Sequence, residues 1–104
     1  MPVKDYRNDL LVRLSDPAYS AQYLKAALDE TLKDGNREAF LLAFKNIVEA
    51  TGAVQDISNN SDISRQHLQR ILSGNENPTL ETLASALNAV GLTIEFKPVS
   101  VGGN

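Results

Sequence analysis

Residues 52–95 read GAVQDISNNSDISRQHLQRILSGNENPTLETLASALNAVGLTIE, and the apolar spacing inside this stretch decides the fold. Ile57, Ile63, Leu68 and Ile71 fall at the steps two short helices need to bury one face each while crossing steeply over a tight turn. The spacing predicts helices over about 54–60 and 65–72, separated by Ser61-Asp62-Ile63-Ser64, with Ser64 as N-cap and Gly74 beyond the C-terminal end. Such a pair is a helix-turn-helix, spanning 53–72. Asp62 takes the turn position where glycine is usual, and aspartate tolerates a left-handed backbone better than most residues. Ser58 stands where alanine commonly allows close helix packing, and it is small enough to fit.

With Leu68 and Ile71 turned inward, the outer face of the second helix carries Arg65, Gln66, Gln69 and Arg70, with Ser64 at its amino end. Arginine can donate two hydrogen bonds to guanine and glutamine can pair bidentately with adenine, each pair discriminating by about 1–3 kcal/mol. These side chains point to double-stranded DNA read in the major groove; the alternative is an ordinary solvated helix face. Gln55, near the start of the preceding helix, is either a donor to a DNA phosphate or a solvent-facing amide. His67 is the single histidine, and without a cysteine or second histidine beside it a cationic helix residue is expected rather than a metal ligand or general base.

Outward from this stretch, Thr79 caps a final helix over 79–91 that carries Leu80, Leu83, Ala84, Leu87 and Val90, and Gly91 ends it. Leu92 to Lys97 alternates apolar and polar residues with a period of two, which predicts a half-buried strand over 92–97 before Pro98. A lone strand lacks ladder partners, so Leu92, Ile94 and Phe96 are expected to meet a second copy or another protein. The tail 98–104 reads as flexible. Toward the amino terminus, residues 16–52 hold two helices. Asp16-Pro17 starts one that runs to about Leu32, with Tyr19, Tyr23, Leu24, Ala27 and Leu28 as its apolar face. Asn36 caps the next, from Arg37 to about Thr51, with Phe40, Leu41, Phe44, Ile47 and Val48 inward and Gly52 after its end. Residues 1–15 give no clear start signal and read as an N-terminal arm.

At 104 residues and 42% hydrophobic content the chain has material for one domain with a modest core. It has no cysteine, which excludes disulfides, thiolate metal sites and cysteine nucleophiles. Asp29-Glu30, the only adjacent acidic pair, lacks an acid/base partner and reads as a solvated helix face. No enzymatic activity, metal or cofactor is expected. No apolar run is long enough for a membrane span and MPVKDYRND lacks a signal-peptide pattern, so a cytoplasmic location is expected. The net charge of −3 is unusual for a nucleic-acid binder, but its distribution matters more. Ser64 to Leu72 holds two arginines, one histidine and no acid, flanked by Asp56, Asp62, Glu76 and Glu81. A small cationic face on an acidic body implies weak binding as a monomer, and hence two copies on one duplex.

The blocks DPAYSAQYLKAAL at 16–28, REAFLLAFKNIVEATG at 37–52, DISRQHLQRILSG at 62–74 and NPTLETLASALNAVGL at 77–92 together resemble the HigA-like antitoxins, and more narrowly the small probable addiction-module antidotes. The resemblance implies an all-α, lambda-repressor-like (XRE-type) bundle of about five helices. It also implies an antitoxin of a type II toxin–antitoxin module that binds a RelE- or HigB-like toxin and represses its own operon as a DNA-bound dimer. On this sequence the family's recognition-helix positions fall on Ser64, Arg65, Gln66, Gln69 and Arg70, while the phosphate-binding glutamine position falls on Val54, one step before Gln55. The competing expectation is a protein-interaction module that neutralises a toxin without binding DNA.

Overall fold

Glycine, asparagine and proline breaks divide the chain into helices, and the computed structural model places them near those breaks. It describes residues 3–53, 57, 59 and 63–99, with side chains from residue 6. Five helices have defined bounds: α1 (Val3–Leu14), α2 (Pro17–Asp34), α3 (Glu38–Thr51), α4 (Arg65–Leu72) and α5 (Leu80–Ala89). Ile57 and Asn59 are also helical, and no strand occurs among the described residues. The fold is all-helical.

The caps follow from residue chemistry. Asp16 accepts the Ala18 N–H at 3.1 Å and Pro17 occupies the first helical position, where its missing donor costs nothing. α2 runs two residues beyond the expected Leu32, and the Gly35 N–H closes it onto the Thr31 carbonyl at 2.8 Å. Asn36 Oδ1 accepts the Glu38 N–H at 2.9 Å, opening α3. Thr79 does the same for α5, taking the Thr82 N–H at 3.1 Å.

α3 is the central helix, packing against α1, α2 and α4. Phe44, Ile47 and Val48 form the middle of the core, joined by Leu14 from α1, Leu24 from α2, Leu68 and Ile71 from α4, and Leu87 from α5. Ile57 and Ile63 are buried with them, so all four apolar residues that predict the helix pair lie in one core. Leu80 departs from expectation. It sits in the first turn of α5 and is 73% exposed, while Leu87 and Val90 carry the buried side of that region.

Two further expectations are corrected. Among the described residues of the expected arm, Val3–Leu14 form helix α1. Its docking depends on a polar network: Arg7 Nη1 donates to Asn46 Oδ1 at 3.2 Å, Arg7 Nη2 meets Glu49 Oε1 at 2.6 Å, and Asn46 Nδ2 donates to the Tyr23 hydroxyl at 3.0 Å. Asn46 is 6% exposed, so burial is possible only because its amide is paired on both sides. The second correction concerns 92–97, which forms no strand. Its first residue already belongs to the end of α5: the Leu92 N–H bonds the Leu87 carbonyl at 2.8 Å across Gly91, whose φ of 90° is the left-handed conformation a Schellman cap requires. The residues that follow have no neighbouring strand among the described residues to complete a ladder.

Candidate nucleic-acid interface

α4 has eight residues, too few for an isolated helix to persist in water, so its existence depends on a cap and an anchor. Ser64 supplies the cap, its Oγ accepting the His67 N–H at 3.0 Å. Leu68 and Ile71, 1% and 2% exposed, supply the anchor. One face is thereby locked into the core and the other is fixed outward. Ser64, Arg65, Gln66, Gln69 and Arg70 are all exposed, and His67 lies half-buried at the edge. The structure brings these five expected site residues onto a single polar, cationic surface.

Gln55 lies outside the described residues, as do Val54, Ser58 and Asp62. The first helix of the expected pair and its turn therefore rest on Ile57, Asn59 and Ile63 alone. Leu92, Ile94 and Phe96 lie elsewhere in the molecule. Leu92 and Ile94 line an apolar groove of about 430 Å³ with Leu24 and Leu28 of α2, Phe40 of α3 and Leu83 and Leu87 of α5. Phe96 stands beyond it, 92% exposed.

One residue of the interface is missed by pattern reading. Glu76 turns back onto α4, where Oε1 accepts from Arg70 Nε at 2.9 Å and Oε2 lies 2.6 Å from His67 Nε2. The Arg70 hydrogen bond is the main reason its carboxyl is held below the ordinary carboxylate range; partial burial works against this, and the nearby imidazole adds to the lowering. The sequence carries a faint signal of this contact. Gly74, with φ 87°, ends α4 in a left-handed turn, and such a turn folds the next residues back along the helix.

The described residues contain no group of three or more histidine, cysteine, aspartate or glutamate side chains able to hold a metal ion. No helix among them is long and apolar enough to cross a membrane. Lys25 Nζ and Asp29 Oδ2, 2.7 Å apart and exposed, form an i,i+4 pair on α2, as a solvated helix face would.

Fold and surface together define a small all-helical protein with a capped, core-anchored helix that presents polar and cationic side chains. Residues 7–98 match the family of probable addiction module antidote proteins, and the chain belongs to that family. An uncharacterized protein of Haemophilus influenzae (strain Rd) is 33% identical over 78 residues, covering 75% of this chain and 79% of the relative. No solved structure matches the chain.

Proposed function

We propose that the chain is the antitoxin of a type II toxin–antitoxin module, which neutralises a RelE- or HigB-like toxin and represses its own operon by reading operator DNA. Residues 53–72 act as a lambda-repressor-like helix-turn-helix with α4 as the recognition helix. The observation that carries the DNA half is the arrangement of α4, in which Leu68 and Ile71 are sealed in the core while Arg65, Gln66, Gln69 and Arg70 share the exposed side. Ser64, at the amino end of α4, belongs with these DNA-facing positions, and Gln55 is assigned to a phosphate contact. Membership of the antidote family supports the toxin half. The role is binding, with no reaction, metal or cofactor, and it is exercised in the cytoplasm.

The DNA-bound form is a homodimer, and 92–97 is its proposed contact. Apolar contact with a second copy, or with another protein, at Leu92, Ile94 and Phe96 supports this, since Ile94 and Phe96 are 40% and 92% exposed. A second reading, toxin neutralisation without DNA binding, draws support from two observations: Glu76 already engages Arg70, and the net charge of −3 suits a basic partner better than a polyanion.

The reading expects a short reading frame for a basic protein beside the gene, and the test is co-expression with that protein, together with a reporter driven by the upstream DNA. Relief of growth arrest and repression of the reporter are expected. The Arg65→Ala, Arg70→Ala double variant should keep the relief and lose the repression. Full repression by that variant would remove α4 from the mechanism, and failure to relieve arrest would remove the antitoxin role.

A further inference from the structure

Both oxygens of the Glu76 carboxylate are engaged by side chains of α4, Arg70 through Nε and His67 through Nε2. The loop that carries Glu76 is held firmly. The Ser73 N–H bonds Gln69 O at 3.0 Å, the Gly74 N–H bonds Ile71 O at 3.0 Å, and the Asn75 N–H bonds Arg70 O at 2.9 Å. From the start of α3, Arg37 Nη2 reaches the Gly74 carbonyl at 2.6 Å. The carboxylate is therefore presented by a fixed platform. It can withdraw by rotating its own side chain, which is 39% exposed, without any change in the loop.

A carboxylate on an arginine offers the same chemistry as a nucleic acid does, namely an acceptor pair from a phosphate or from the O6 and N7 edge of guanine. We propose that Glu76 is a specificity-determining residue of the DNA-reading face, holding Arg70 and His67 in the free protein as an internal substitute for DNA acceptors. The proposal rests on α4 being a DNA reader and deepens that reading. A lone phosphate offers Arg70 little that Glu76 does not already supply, and it meets a negative charge on arrival. A guanine edge aligned by the rest of α4 offers two directed bonds and displaces the carboxylate with profit to the complex. Glu76 thus weakens sequence-independent binding, which is the electrostatic share, more than it weakens binding to the cognate site.

The experiment measures binding of the full chain and of Glu76→Gln to the duplex upstream of the gene and to a scrambled duplex of equal length, across a salt series. Gln keeps the size of the side chain and removes its charge. At ionic strength near 0.1 M the variant should bind the scrambled duplex about threefold tighter or more, from one like charge removed at close range. It should gain less on the upstream duplex, so the ratio of the two affinities narrows. The slope of log K against log salt should steepen by about 0.9, as one more cation becomes available to phosphate. Unchanged or weaker binding to both duplexes, or an equal gain on both, would overturn the proposal. The Arg65→Ala, Arg70→Ala double variant is measured alongside. If binding to the upstream duplex is absent or ignores those arginines, the DNA reading itself fails and takes the proposal with it. If the arginines matter and Glu76→Gln leaves the ratio intact, only the role of Glu76 fails.

Discussion

The side chains on the outside of α4 were legible from spacing alone, because burying Leu68 and Ile71 on a 3.6-residue period leaves Arg65, Gln66, Gln69 and Arg70 no other side to occupy. Glu76 was not legible as a partner. In sequence it is one of several flanking acids, and its contact with Arg70 exists only because the turn at Gly74 folds the chain back. Its titration gives a direct check. The folded-state value lies below the unfolded one, so its contribution to stability is complete above the ordinary carboxylate range and disappears as pH falls through the lowered value. The gap in thermal midpoint between wild type and Glu76→Gln should therefore close as pH falls across that window. A gap that persists below it would mean the carboxylate charge is not what the contact uses.

At the scale of elements, α2 to α5 follow from apolar period and caps, with Asp16, Ser64 and Thr79 accepting backbone N–H groups as N-caps, while Asn36 takes the Glu38 N–H from one residue before the cap position at Arg37. α1 was hidden because its apolar content is thin and its docking partners, Asn46 and Glu49, lie 39 and 42 residues from Arg7. Period-two alternation at 92–97 misled for a different reason: Leu92 is recruited into the C-terminal cap of α5, and a strand needs a neighbour that the described residues do not provide. The α1 network yields a prediction. Asn46→Ala strips partners from both Arg7 and Tyr23 and should lower unfolding free energy by about 1–3 kcal/mol in a denaturant titration. Adding Arg7→Ala should cost clearly less than it does alone, since both substitutions act through one network. Full additivity would show that α1 is held by something else.

For the whole molecule, the extents of 45 × 40 × 24 Å describe a flattened body, and the radius of gyration of 14.5 Å exceeds the value of about 13 Å usual for a chain near 100 residues. A flat helical body leaves the groove beside Leu92 and Ile94 open and Phe96 uncovered, the surfaces assigned to the second copy. On the proposed reading, two copies would also double a cationic face that is small against the acidic remainder of a chain of net charge −3. The proposed dimer would place two copies of α4 in successive major grooves. Hydroxyl-radical footprinting of the upstream duplex tests this most directly. Two protected half-sites about 34 Å apart, one helical turn, are expected, and both should vanish with the Arg65→Ala, Arg70→Ala double variant. No protection, or protection that survives the loss of both arginines, would contradict DNA reading by α4.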